Sequence, residues 1–166
     1  MHAQPASSRD GRCPTCGNAD PFDASPEHRG LVMAVIKMAF SNWPESHAFQ
    51  PTSPEHLRGW LCIEVGHKLS VDIDGAKNIT VRTVASVRSL LLEMGSSEAA
   101  LIAMRMYETK TGIRVVVPKS MSSKGPKRIG KREFEDLSRK IFEIVETVTG
   151  VEIEKWKGEQ NKWHAA

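Results

Sequence analysis

Residues 113–148 read IRVVVPKSMSSKGPKRIGKREFEDLSRKIFEIVETV, and the change of rhythm inside this stretch decides the fold class. Ile113 to Val117 is a short run rich in β-branched residues, which suits a strand. Pro118 closes it, because proline cannot donate to a ladder. From Arg132 to Val148 the period is different. Phe134, Leu137, Ile141, Ile144 or Val145, and Val148 recur every three or four residues, as on a helix with one buried face. Gly150 is its stop. Between the two elements, Met121 to Gly130 holds Ser, Lys, Gly and Pro and predicts a flexible loop.

Working outward, Ala99 to Tyr107 predicts the strand before Ile113, with Glu108 to Gly112 as a five-residue hairpin loop. Leu69 to Ile73 alternates in hydropathy, and Asp74-Gly75 signals a turn. Ile79 to Val81 is the expected partner of that strand. Three more helices are predicted. Ser25-Pro26-Glu27-His28 places a cap and then proline at a helix start. Val32, Ile36, Ala39 or Phe40, and Trp43 form its apolar face, with Arg29 and Lys37 on the opposite one. Ser53-Pro54-Glu55-His56 repeats the device ahead of Leu57, Trp60, Leu61 and Val65, and Gly66 ends that helix. Arg82 to Met94 carries Val84, Val87, Leu91 and Met94 on one side and stops at Gly95.

The expectation is a single α+β domain over residues 26–150, with about four helices and a small antiparallel sheet of short hairpins. Residues 1–25 read as an irregular arm. Residues 151–166 read as a charged tail containing Trp156 and Trp163, with a short strand and then coil. At 166 residues the chain can bury a core without disulfides or a metal. Three cysteines exclude a complete intrachain disulfide framework and, with a polar start, point to a reducing, cytoplasmic setting. No run approaches the roughly 20 apolar residues of a membrane span, so no membrane partner is expected.

Charge is the most informative physical feature. The net charge is only +3, yet Lys119, Lys124, Lys127, Arg128, Lys131 and Arg132 lie within fourteen residues that contain no acidic residue. That leaves −3 for the remainder of the chain. Ser120, Ser122, Ser123, Gly125 and Gly130 stand among the six cations, so the backbone can approach an anion closely. Lys and Arg neutralise phosphates and release counterions, which gives sequence-independent affinity. Ser hydroxyls and a helix start add positioning contacts. A solvated surface loop is the plainer reading of the same charges. Trp156 and Trp163, among Lys155, Lys157, Lys162 and His164, could supply base stacking or pack against the core.

Cys13-Pro14-Thr15-Cys16 has the spacing of half a zinc knuckle. A structural Zn²⁺ needs four ligands, so His28, His2, His47, Cys62 or His67 would have to complete it. A bland pair of reduced thiols explains the motif as well. Asp72 and Asp74 could hold a metal, although the turn before Gly75 accounts for them more cheaply. No phosphate-binding G-x-x-x-x-G-K-[ST], Rossmann fingerprint, G-x-S-x-G or H-E-x-x-H occurs, and no catalytic residue is assigned.

Three stretches together resemble a family of small, largely uncharacterised phage and prophage proteins. They are His28-Arg29 with the helix ending Ala39-Phe40-Ser41-Asn42-Trp43-Pro44; Glu55-His56-Leu57-Arg58 through Ile63-Glu64-Val65-Gly66-His67; and Val117-Pro118-Lys119-Ser120-Met121-Ser122 before the helix with Phe134. The likeness covers about half the chain. Residues from about Ala76 to Ile113 and the long basic loop depart from the pattern. By analogy with the lambdoid Orf or NinB-type recombination accessory proteins, the resemblance implies single-stranded DNA binding, a homodimer and a bacterial host cytoplasm.

The reading that follows is a phage-type nucleic-acid-binding accessory protein, related to recombination or replication, with the question of an enzymatic activity left open. Lys119, Lys124, Lys127, Arg128, Lys131 and Arg132 would contact the phosphate backbone. Two alternatives are a module that docks on a host or phage protein and a metal-dependent nuclease. Cys13, Cys16 and His28 are the candidate metal ligands, and Zn²⁺ is the one cofactor considered.

Overall fold

The computed structural model describes residues 25–122 and 128–164. The elements, in chain order, are α1 (Pro26–Ser41), α2 (Pro54–Glu64), β1 (Lys68–Asp74), α3 (Val81–Glu93), α4 (Glu98–Ile102), β2 (Arg105–Glu108), β3 (Gly112–Pro118), α5 (Lys131–Thr149) and α6 (Ile153–His164). The α+β class stands, but six helices are present among the described residues, against about four expected. The chain forms two compact units. One is residues 49–119, and the other combines the stretches that end at residue 48 and begin at residue 120.

In the unit of residues 49–119, the sheet has the order β1-β3-β2, antiparallel throughout. β3 is central because it is apolar on both faces. Ile113, Val115 and Val117 pack with Val87 and Leu91 of α3 and Leu101 of α4. On the other face, Val116 meets Ile63 of α2 and Ala103. Gly59 permits the close approach of α2: a Cβ there would lie 2.5 Å from the Ala103 Cβ.

Two expectations for this unit are corrected. β1 does not form a hairpin with residues 79–81; it pairs with β3, from Lys68 opposite Pro118 to Asp74 opposite Gly112. Thr80 is instead the N-cap of α3, and its Oγ1 accepts from the Thr83 N–H at 3.2 Å. That bond draws Val81 into the helix. Residues 98–102 form α4 and not the start of a strand. Ser97 caps it, with Oγ accepting from the Ala100 N–H at 3.1 Å. Ala99 and Ala100 favour helix over strand. The hairpin survives in shorter form as β2–β3.

In the second unit, α1 buries Val32, Val35, Ile36 and Ala39, and α5 buries Phe134, Leu137, Ile141 and Val145. The two helices pack together. Ser25 and Ser53 both cap as the sequence indicates, accepting from the His28 and His56 N–H groups at 3.1 Å. Gly150 ends α5 in the left-handed conformation, φ 71°. The tail is helical, not strand and coil. Glu146 Oε1 accepts from the Ile153 N–H at 2.9 Å, and Ile153 is buried. A capped start and an apolar anchor suffice to hold the first turn of α6.

Candidate nucleic-acid interface

The basic segment begins where β3 ends. Pro118 is buried, and Lys119 is exposed beyond it. The Lys119 N–H donates to the His67 carbonyl at 3.0 Å, which extends the ladder past the strand by one bond. Lys119 closes the unit of residues 49–119, and the following residues belong to the other unit.

The described parts of the loop are held at several points. Ser120 Oγ accepts from the Ser122 N–H at 3.0 Å. The Ile129 N–H donates to the Ser122 carbonyl at 3.2 Å, and Ile129 is buried. Arg29 Nη1 donates to the Met121 carbonyl at 2.8 Å. Its guanidinium lies 4.4 Å from the centroid of the Phe134 ring, a cation–π distance. The His28 ring meets the same phenyl edge-on, with centroids 5.3 Å apart. Phe134 is thus a platform for Arg29 and His28, and through Arg29 α1 holds the Met121 end of the loop.

This corrects the placement of Arg29 on the outer face of α1. It is half-buried and inward-facing. The signal was available, because residue 29 precedes Val32 by three and Ile36 by seven, which puts it on their stripe. Lys37 is exposed as expected.

Gly130 is the N-cap of α5 and offers no side-chain hydrogen bond to the first turn. Lys131 and Arg132 follow at once, both exposed. Lys131 Nζ is 4.0 Å from Glu135 Oε1, the limit of an ion pair. Neither Lys119 nor Arg132 forms an ion pair among the described residues. Arg128 is partly buried beside Ile129. The structure therefore gathers Arg128, Lys131 and Arg132 at one helix start. Lys124 and Lys127 lie outside the described residues.

Several cations elsewhere are neutralised by carboxylates of the same chain. Farther along α5, Arg139 bridges Asp136 at 2.7 Å and Glu143 at 2.8 Å, and Lys140 holds Asp136 at 2.9 Å. On the face of the sheet that α2 partly covers, Arg105 pairs with Glu64 at 2.7 Å, and Arg114 grips both oxygens of Asp72 at 2.8 and 3.2 Å. The Arg114 hydrogen bonds hold the Asp72 carboxyl below its ordinary pKa. These arginines border a cavity of about 390 Å³ with Lys68, Ser70 and Tyr107, a polar face the sequence reading did not anticipate. The alternation of polar residues on β1, with Arg114 on β3, is the signal that could have found it.

The metal candidates separate. Cys13, Cys16 and His2 lie outside the described residues. His28 packs on Phe134, and the His47 ring meets Trp43 at 5.0 Å. Cys62 is buried in α2, where desolvation pushes its thiol up to about 12. A thiol so placed is neither a ready ligand nor a nucleophile. No group of three or more His, Cys, Asp or Glu placed to hold a metal occurs among the described residues. Nor does any helix among them reach the length and apolarity needed to cross a membrane. On α6, Trp163 is 79% exposed, while Trp156 is half-buried. No protein-family model, no curated protein and no solved structure matches the chain.

Proposed function

We propose that the chain is a nucleic-acid-binding accessory protein of phage type, which engages the phosphate backbone through the segment from Lys119 to Arg132. One observation carries this reading. The start of α5 has a glycine cap without a side-chain acceptor and presents Lys131 and Arg132 to solvent, with Arg132 unpaired among the described residues. The partial positive charge of a helix start then adds to two exposed cations, and a phosphate is the anion that suits both. The loop contains no aromatic residue, so base identity is read weakly. Exposed Trp163 is the group fitted to stack on an unpaired base.

The test is a salt titration of binding to labelled single- and double-stranded oligonucleotides. Each neutralised phosphate contributes about −0.7 to the log–log slope on single strands and about −0.9 on duplex. If all six cations engage a single strand, affinity falls by a factor of about 300 between about 50 and 200 mM salt. Replacing Lys131 and Arg132 by Ala reduces that factor to about 50. A flat salt response, or a slope unchanged in the double variant, overturns the assignment. The second reading, docking on a protein, is favoured by the same exposed Trp163, because a large exposed aromatic is a typical interface anchor. A stoichiometric complex that survives nuclease treatment and depends on Trp163 would support it.

A further inference from the structure

We propose that two copies of the chain join edge to edge through β1, antiparallel about a two-fold axis, in the register that sets Lys68 opposite Asp74 of the second copy. The inference is independent of the nucleic-acid reading.

β1 is an edge of the sheet, seven residues long and free of proline. It is exposed at Lys68, Leu69, Ser70, Asp72 and Asp74. The direction of its free backbone groups follows from the ladder. The Lys119 N–H donates to the His67 carbonyl, and the Gly75 N–H donates to the Thr111 carbonyl at 2.9 Å. In an antiparallel pair the bonded positions alternate. The odd residues from 67 to 75 therefore bond toward β3. Lys68, Ser70, Asp72 and Asp74 direct their N–H and C=O groups outward. Among the described residues no backbone hydrogen bond reaches those outward groups. Such an edge is a template for another strand.

The sequence of this edge, KLSVDID, complements itself when reversed. With Val71 on the two-fold axis, the whole strand overlaps its copy. Lys68 then faces Asp74, Leu69 faces Ile73, and Ser70 faces Asp72, each pair occurring twice by symmetry. Lys68 and Asp74 form no ion pair within the chain among the described residues, so both charges are available. The outward-bonding positions face one another, so the new ladder is satisfied without shifting β3. Opposed residues share a face, and the apolar side of one sheet continues into that of the other. Leu69, 44% exposed, would be covered by Ile73 of the second copy. A slip that centres Asp72 on the axis opposes Asp72 to itself, and like charges directly opposite are destabilising. The charges that blunt a random approach to this edge thus admit a copy in register. β2 is the poorer candidate because it has only four residues.

The test uses the full chain, free of nucleic acid, at low salt in sedimentation equilibrium. The wild-type chain is expected to form dimers at micromolar concentration. Ser70→Pro removes an outward N–H and leaves the β1–β3 ladder intact, so it should give a monomer with an unchanged circular dichroism spectrum. Lys68→Asp and Asp74→Lys should each weaken dimerisation by about tenfold, since two facing pairs become repulsive. The double swap Lys68→Asp with Asp74→Lys restores the pairing and should recover wild-type affinity. A monomeric wild-type chain at high micromolar concentration overturns the proposal. So does a dimer indifferent to Ser70→Pro, or a double swap no better than the single variants. The cycle separates lost pairing from misfolding, because a misfolded single variant is not rescued by a second charge change.

Discussion

Replacing Gly59 by alanine opposes two effects whose magnitudes can be compared. Alanine is favoured over glycine in a helix interior by about 1 kcal/mol. Against that gain, the new methyl group would lie 2.5 Å from the Ala103 Cβ and 3.4 Å from the Pro118 Cγ. The first distance is far inside contact, and its neighbour is not the movable end of a long side chain. Ala103 is buried and caps α4, so relief requires α2 to shift off the sheet. Overpacking of this kind costs about 1–3 kcal/mol. The net expectation for Gly59→Ala is a loss of up to about 2 kcal/mol.

A second substitution isolates the clash. Ala103→Gly removes the opposing methyl and by itself costs about 1 kcal/mol in chain entropy and lost packing. In the double variant the helix keeps its propensity gain and the overlap is gone. Urea unfolding of the two single variants and the double variant should show a favourable coupling of about 1–3 kcal/mol at constant m-value. Additivity within about 0.5 kcal/mol would refute the close approach of α2 to Ala103. A single variant more stable than wild type would do so as well.

Thr80→Val distinguishes a helix cap from a strand residue: as a cap, Thr80 is worth about 1 kcal/mol in chemical denaturation, whereas in a strand valine would be neutral or better. Asp72→Asn addresses pH dependence. The Asp72 carboxyl is depressed chiefly by its hydrogen bonds to Arg114, so its contribution is present above the ordinary carboxylate pKa and disappears as the pH falls through the lower folded value. The difference in urea midpoint between wild type and Asp72→Asn should therefore shrink below about pH 4, and a constant difference down to about pH 2 would contradict the ion pair. Cys62, with its thiol raised to about 12 by burial, should resist a disulfide reagent at mildly alkaline pH until denaturant is added, as mass mapping of the modified peptides would show. Phe134→Ala should cost about 3–5 kcal/mol by thermal or urea unfolding, because it removes a buried ring and the surface under Arg29 and His28.

Helices with a cap, a proline and a regular apolar stripe were legible in the sequence. α1, α2 and α5 begin and end within two residues of their expected limits. β3 was legible too, from its continuous β-branched run. What failed was pairing and short elements. β1 could be read as a strand, but its partner lies about forty residues on, and nothing local in residues 68–74 encodes that choice. Residues 79–81 looked like the partner because Ile, Thr and Val suit strands, yet one hydroxyl-to-amide bond at Thr80 made them a helix start. α4 is a single capped turn, too short for an apolar period to reveal. α6 has a strongly polar sequence, and its start depends on Glu146, seven residues before Ile153. Local rules describe caps and stripes well; bonds made across the chain decide the remainder.

The same distinction bears on the site. A count of cations does not single out the segment from Lys119 to Arg132, because α5 and the sheet also carry several. Availability does. Arg105, Arg114, Arg139 and Lys140 each have a carboxylate of the same chain within 3 Å, and a phosphate would have to displace it. Exposed pairs of that kind are individually weak, but each displaced carboxylate would remain as a negative charge beside the incoming anion. The segment from Lys119 to Arg132 contains no acidic residue, Lys131 is only at the limit of an ion pair with Glu135, and Arg132 meets solvent at a helix start whose cap supplies no side-chain acceptor. The absence of Asp and Glu from those fourteen residues, a property of the sequence alone, therefore carries more of the functional argument than the presence of six Lys and Arg.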